Sequence, residues 1–127
     1  MNLSRLRQSI VQLNKKRSEL LNRVMRPKKM VQGSLYQMER ICGNPNCKCA
    51  KGAKHISWYL SRPMRGKTKL TYIGRIVPPK IFDSVCRYQQ YQKHLAKIRK
   101  IDNEISLLLN QIRDAMVHSI EEMRKKR

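Results

Sequence analysis

Three cysteines and one histidine lie within a single short stretch of the sequence, CGNPNCKCAKGAKH. Thiolates and imidazoles are the ligands that structural Zn²⁺ prefers, and such sites are almost always tetrahedral. The Gly, Asn and Pro residues after the first cysteine favour a tight reversal that lets nearby ligands converge. The spacing Cys-x4-Cys-x-Cys-x5-His predicts a zinc site formed by Cys42, Cys47, Cys49 and His55, with Cys86 as the alternative fourth ligand.

The same cluster lacks the pattern of a redox or catalytic site. A redox dithiol usually has the spacing Cys-x-x-Cys, which does not occur in this sequence. A catalytic zinc ion needs a nearby general base, but the sequence has no Asp or Glu between Arg40 and Ile81. Iron–sulfur ligation by the three cysteines and Cys86 has no supporting spacing. The sequence therefore predicts structural zinc in a protein that is not an enzyme.

The chain is strongly basic. Its 127 residues carry a formal net charge of +21, and residues 1–80 hold +17 of it, with 19 Lys and Arg against two Glu. Positive charges at this density repel one another and favour a polyanionic partner, of which nucleic acid is the commonest. The alternative is a basic surface that is only solvated. No apolar run is long enough for a membrane span, and the charged N-terminus is not a secretory signal. We expect a cytoplasmic protein, associated with a nucleoid or ribonucleoprotein, that binds neither a membrane nor a small-molecule substrate.

An α+β fold is expected to position these residues. Residues 1–26 have apolar side chains spaced alternately three and four apart, interrupted only at Arg17, which predicts a heptad helix. Asn2 is the expected N-cap, and Pro27 follows the expected helix end at Met25.

Residues 27–78 are predicted to form a zinc-stapled β module. Three segments have strand character: residues 34–41, 56–62 and 67–75. They predict a three-stranded antiparallel sheet with the cysteine loop between its first two strands and a turn at PMRG. A sheet this small is not stable alone, so it needs a packed helix, a metal ion or both.

Alternation along the second predicted strand separates two faces of this sheet. We expect Trp58 to face a helix and Tyr59 to face outward. Basic residues of the next strand are expected on the side of Tyr59, namely Lys67, Lys69 and Arg75, together with Thr71.

Residues 79–127 are predicted to form one long, coiled-coil-like helix. The sequence has no Gly or Pro after Pro79, and its apolar positions again alternate four and three apart. The short N-terminal helix cannot cover the whole stripe, so a homodimer or a partner protein is expected to pack against it. The alternative is a break near Asp102 and Asn103 that gives two antiparallel helices.

The segment GSLYQMERICGNPNCKCAKGAKHISWYLSRPMRGKTKLTYI resembles an uncharacterised family of short basic bacterial and archaeal proteins, catalogued as a domain of unknown function. Members combine a CG-x-x-x-C-x-C-A-x-G-x-x-H loop with a YL strand, a GK turn and a long helix. The resemblance covers residues 33–100 and implies that His55, not Cys86, is the fourth zinc ligand. Such proteins are often associated with mobile elements, which implies nucleic acid as the partner; the resemblance implies no activity.

We therefore expect a non-enzymatic, zinc-stabilised protein that binds DNA or RNA, as an accessory component of a mobile-element or other nucleoprotein complex. Bases would stack on an exposed aromatic residue of the sheet, and basic residues would contact phosphates. The candidate contact residues are Lys15, Lys16, Lys28, Lys29, Lys48, Lys51, Lys54, Tyr59, Arg62, Arg65, Lys67, Lys69 and Arg75. The alternative function is a coiled-coil adaptor that bridges protein partners.

Overall fold

The computed structural model of the protein describes residues 2–41, 43–46, 52 and 54–125. It has an α+β layout, as the sequence predicts, with a three-stranded antiparallel sheet between an N-terminal and a long C-terminal helix. In chain order the elements are α1 (Leu3–Val24), β1 (Ser34–Arg40), β2 (His55–Met64), β3 (Lys67–Gly74), α2 (Pro79–Met116) and α3 (Ile120–Lys125). Within the described ranges, no helix has the length and apolarity needed to cross a membrane.

Helix α1 begins and ends at the predicted capping residues. The side chain of Asn2 accepts hydrogen bonds from the backbone N–H groups of Ser4, at 2.9 Å, and Arg5, at 3.4 Å. These bonds satisfy two of the four N–H groups that lack an intrahelical partner at a helix start. At the other end, the Met25 N–H donates to the Leu21 carbonyl at 3.0 Å. Both predicted boundaries of α1 are confirmed.

The sheet has the strand order β1-β2-β3, with both pairs antiparallel. In the β1–β2 ladder, the terminal rungs join Ser34 to Ser61 and Arg40 to His55. Because Arg40 and His55 are partners, the chain between β1 and β2 leaves and re-enters the sheet at adjacent positions. The predicted sheet is confirmed, and the cysteine-rich segment connects its first two strands.

The β2–β3 hairpin is tighter than the predicted PMRG turn. Met64 pairs with Lys67, so the loop consists of Arg65 and Gly66 alone. Their φ angles are +50° and +78°, as a type I′ turn requires of both central residues. This turn matches the right-handed twist of the strands, which extends the pairing to the tip of the hairpin.

Helix α2 begins at Pro79 and runs without interruption through Asp102 and Asn103 to Met116. The alternative of a break near Asp102 is therefore wrong. Neither polar side chain is left unsatisfied in this helix, because the Asp102 carboxylate accepts a hydrogen bond from Arg17 Nε at 2.6 Å and Asn103 is exposed to solvent. The predicted single helix is nevertheless too long, because residues 117–119 separate α2 from α3.

The chain divides into two compact units. The first unit contains residues 1–26 and 93–127, in which α1 runs antiparallel to the second part of α2. Arg17 and Asp102, the polar interruptions of the two predicted apolar seams, form an ion pair there, with both side chains partly exposed. Its buried apolar side chains are Val24, Ile98 and Ile101.

The second unit contains residues 27–92, which include the sheet, its connecting segments and the first part of α2. Val85 on α2 is only 1% exposed and is the most deeply buried described side chain. The Val31 N–H donates to the Ser84 carbonyl at 3.0 Å, and Arg87 Nη1 donates to the Lys29 carbonyl at 3.2 Å. These two bonds attach the segment before β1 to the start of α2.

Candidate nucleic-acid interface

Three tyrosines form a row across the sheet, one on each strand. Tyr36 pairs with Tyr59 in the β1–β2 ladder, and Tyr59 pairs with Tyr72 in the β2–β3 ladder. Directly paired residues lie on the same face of a sheet, and neighbouring strands are about 4.8 Å apart, so the row spans about 10 Å. We call Tyr36, Tyr59 and Tyr72 the tyrosine row.

The central ring of the row is fixed, and the outer two are open to solvent. The Tyr59 and Tyr72 ring centroids lie 5.5 Å apart with the planes at 68°, an edge-to-face contact. Arg40 Cζ lies 5.6 Å from the Tyr59 centroid, within the range of a cation–π interaction. Tyr36 is 52% exposed and Tyr72 is 61% exposed. About half or more of the surface of each outer tyrosine is therefore open to a ligand.

The side chains around the row are a mixture of polar, cationic and apolar groups. The same face carries polar Ser57, Ser61, Thr68 and His55, cationic Arg40, and apolar Met38, Pro63 and the half-exposed Leu70. The one carboxylate of the three strands, Glu39, pairs with Ile56 and lies on the opposite face. The tyrosine face therefore carries no negative charge on its strands that would repel a phosphate backbone.

The strand cations do not share a face with Tyr59 as expected. Lys69 pairs with Arg62 and Thr71 pairs with Leu60, and these rungs lie on the face opposite the tyrosine row. Lys67, the partner of Met64, is on that opposite face as well. The expectation is wrong because any β2–β3 loop with an even number of residues, the predicted PMRG turn as well as the observed two-residue turn, pairs Lys67 and Lys69 with residues on the face opposite Tyr59.

The remaining predicted contact residues are distributed over both units. Lys54 precedes β2 and Arg75 follows β3, and both are exposed. The exposed Lys28 and Lys29 lie in the segment between α1 and β1, whereas the exposed Lys15 and Lys16 lie on α1 in the first unit. Lys48 and Lys51 lie outside the described residues.

Most of the predicted zinc ligands also lie outside the described residues, namely Cys42, Cys47 and Cys49. His55 is the first residue of β2, and Cys86 is half-buried on α2. Within the described part of this segment, the Asn46 N–H donates to Asn44 Oδ1 at 3.0 Å, which is a local turn. Among the described residues, no group of three or more His, Cys, Asp and Glu side chains is placed to hold a metal ion. The zinc site and the choice between His55 and Cys86 stay predictions.

Two members of the tyrosine row, Tyr36 and Tyr72, were not among the predicted contacts. Their signal in the sequence is indirect. If the Arg65-Gly66 dipeptide is taken as a two-residue loop, Tyr72 falls opposite Tyr59 by counting along both strands. Tyr36 has no comparable signal, because the length of the cysteine-rich connection does not fix the β1–β2 register.

A family model described as a domain of unknown function (DUF6788) matches residues 10–82. No curated protein and no solved structure matches the chain. The matched region begins within α1, includes the whole sheet and the cysteine-rich segment, and ends four residues into α2. It therefore takes in much of α1, which the resemblance over residues 33–100 leaves out, and excludes most of α2.

Proposed function

We propose that this chain, which belongs to the DUF6788 family, is a non-enzymatic protein that binds nucleic acid by stacking unpaired bases on the tyrosine row. The observation that carries the proposal is the alignment of Tyr36, Tyr59 and Tyr72 on one open face of the sheet. In our proposal the protein acts as a binding component of a larger nucleoprotein complex.

Stacking explains why exposed tyrosines would be retained on this face. A tyrosine ring buries much of its apolar surface when a base stacks on it, and each such contact contributes about 1–3 kcal/mol to binding. Base faces are accessible in single strands but covered by neighbouring base pairs in a duplex. The row therefore favours single-stranded segments, with little dependence on base identity because every base has a π-face.

The electrostatics of the face agree with such a ligand. Arg40 places its guanidinium at Tyr59, and Glu39 points to the other side. In the proposed complex, Arg40 and the basic residues that flank the strands contact phosphates, while the rings contact bases.

Substitution of Tyr72 tests the proposal most directly. We expect Tyr72→Ala to weaken binding of a fluorescein-labelled 15-nucleotide oligo(dT) or oligo(U) by about 5- to 150-fold, the equivalent of one lost stacking contact. Fluorescence anisotropy titrations at several salt concentrations measure this loss. Tyr36→Ala is expected to act in the same direction.

Tyr72→Phe is the matched control, because it retains the ring and removes only the hydroxyl. It should bind within about twofold of the unsubstituted protein if stacking supplies the affinity. Equal affinities for the unsubstituted protein, Tyr72→Ala and Tyr36→Ala would contradict the proposal, as would an absence of binding at low salt.

Zinc has a structural part in this proposal. Cys42, Cys47, Cys49 and His55 would hold the ion, because three thiolates and an imidazole form a complete donor set for tetrahedral Zn²⁺. The Arg40–His55 rung supports this assignment, since it brings the two ends of the cysteine-rich segment together. The ion would supply no chemistry; it would fix the connection between β1 and β2.

A second candidate function is a coiled-coil adaptor. It is favoured by large apolar side chains that α2 leaves exposed in the first unit, with Leu109 at 52% and Met116 at 56% exposure, seven residues apart and therefore on one face of the helix. A second copy or a partner helix would cover them. This function is compatible with nucleic-acid binding, because the tyrosine row lies in the other unit.

A further inference from the structure

The β2–β3 hairpin extends beyond the three-stranded part of the sheet. The first residue of β1, Ser34, pairs with Ser61, and this is the last rung that β1 contributes. Past it, residues 62–64 and 67–69 pair only with each other and end in the Arg65-Gly66 turn. This eight-residue segment, 62–69, is a two-stranded ribbon, which we call the basic ribbon.

The ribbon concentrates uncompensated positive charge. Arg62 and Lys69 are direct cross-strand partners, an arrangement of like charges that destabilises a sheet. Arg65 is at the tip and Lys67 is beside it. None of these four side chains has an ion pair or a side-chain hydrogen bond within the described part of the chain. A ligand with closely spaced negative charges would relieve the repulsion.

The dimensions of the ribbon fit the major groove of B-form DNA. Three rungs at about 3.3 Å per residue give a projection of about 10 Å. The major groove is about 12 Å wide and 8.5 Å deep and admits a two-stranded β-ribbon. The major groove of A-form RNA is deep and narrow, and side chains cannot reach its bases. The shape of the ribbon therefore favours duplex DNA over duplex RNA.

We infer that the basic ribbon inserts into the major groove of duplex DNA, and that the protein recognises a junction between duplex and single-stranded DNA. This inference rests on the proposed function, because the tyrosine row supplies the single-strand contact. The Tyr59–Tyr72 rung lies five residues along β2 from the Met64–Lys67 rung, about 16 Å. Both contacts belong to one hairpin, with Lys67 and Lys69 on the face opposite the tyrosine row, so a single ligand engages both when its duplex arm holds the ribbon and its flexible unpaired tail passes around the hairpin to the rings.

Four labelled ligands test the inference with the full chain: a 20-base-pair DNA duplex with a 15-nucleotide tail, the blunt duplex, the single strand, and the tailed duplex made of RNA. We expect the tailed DNA to bind at least about tenfold more tightly than either DNA part or the tailed RNA. The ribbon variant Arg62→Gln/Lys67→Gln/Lys69→Gln should lose this preference. For tailed DNA, the slope of the logarithm of the binding constant against the logarithm of the salt concentration should decrease in magnitude by about 2–3, one unit per lost phosphate contact. The affinity of this variant for the single strand should stay within about twofold of the unsubstituted protein.

The control variant is Lys97→Gln/Lys100→Gln/Arg113→Gln. It also removes three positive charges, but from exposed residues of α2. The inference is overturned if tailed DNA binds no more tightly than the single strand. It is also overturned if the ribbon variant loses no more affinity for tailed DNA than this control variant does. Equal preference for tailed RNA overturns the assignment to DNA. The failure of the proposed function is distinct, since it appears as unchanged single-strand binding by Tyr72→Ala and does not involve the ribbon variant.

Discussion

Arg65 has a backbone conformation that arginine rarely adopts. Its φ of +50° is the one positive value among the described residues other than glycine. The left-handed region costs an L-residue about 1–2 kcal/mol, and the first position of a type I′ turn normally holds Asn, Asp or Gly. Arg65 therefore places a positive charge at the tip of the basic ribbon but lowers the stability of the turn.

Arg65→Asn is expected to separate these two properties. The substitution should raise the free energy of unfolding by about 0.5–1 kcal/mol, because Asn tolerates the left-handed conformation. It should also weaken binding of tailed DNA, since the charge at the tip is lost. Urea unfolding and anisotropy on the same preparations measure both effects.

Arg75→Asn is the control for this prediction, because Arg75 is exposed, follows β3 and does not have a positive φ. It removes the same charge without relieving backbone strain, so no gain in stability is expected. A stability change of equal size in the two variants would show that φ at position 65 is not the cause.

At the scale of elements, helix boundaries followed from local chemistry and could be predicted. The Asn2 cap, the end of α1 before Pro27 and the start of α2 at Pro79 each depend on groups within one helical turn. The face of each strand residue could not be predicted in the same way. It depends on whether the β2–β3 loop has an even or odd number of residues, and both the predicted PMRG turn and the observed loop are even, so the face of Lys67 and Lys69 follows from loop parity and not from alternation along a single strand.

Contacts between distant elements were predicted only in part. The sequence marked Arg17 and Asp102 as polar interruptions of two apolar seams, but nothing local indicated that residues 85 positions apart form an ion pair. The tyrosine row is a similar case. Tyr59 was expected to face outward from alternation alone, whereas Tyr36 and Tyr72 join it only through the registers of two ladders.

The exposed apolar side chains of α2 lead to a prediction about assembly. We expect the purified chain to form a dimer that Leu109→Asp/Met116→Asp converts to a monomer, because a buried unpaired carboxylate opposes association. Light scattering measures the mass in solution. Asn110→Asp, at an exposed polar position on the same helix, is the control and should leave the mass unchanged.

The same double variant distinguishes the two candidate functions. In the proposed nucleic-acid-binding function, Leu109→Asp/Met116→Asp retains single-strand affinity within about twofold, because stacking on the tyrosine row supplies the binding energy. A monomer for the unsubstituted chain, with no partner helix bound, would contradict the prediction about assembly and leave the adaptor function without support.

At the scale of the whole molecule, the two units have different sources of stability. The first unit buries Val24, Ile98 and Ile101 in a pair of long helices. The second unit combines the start of α2, where Val85 is only 1% exposed, with a three-stranded sheet near the smallest size that is stable on its own, so it gains from further support. A metal ion at the cysteine-rich segment would supply that support, because zinc binding to a site absent from the unfolded chain contributes directly to folding.

Zinc removal should therefore unfold the second unit, which contains the sheet, and leave the helices of the first unit folded. We expect one zinc ion per chain by elemental analysis, and we expect EDTA or Cys47→Ser to abolish oligonucleotide binding. Trp58 on β2 is the one tryptophan of the sequence, so its emission should shift to the red as the sheet opens, while helical circular dichroism at 222 nm largely persists.

Two further variants identify the fourth ligand. His55→Ala should lose zinc and the native emission of Trp58, whereas Cys86→Ser should retain both, because His55 adjoins the cysteine-rich segment and Cys86 lies on α2. The reverse pattern would assign the site to Cys86. A Cys47→Ser protein with native Trp58 emission and undiminished oligonucleotide binding would show that the sheet needs no metal ion, and that the tyrosine row is held by the ladder hydrogen bonds and side-chain packing alone.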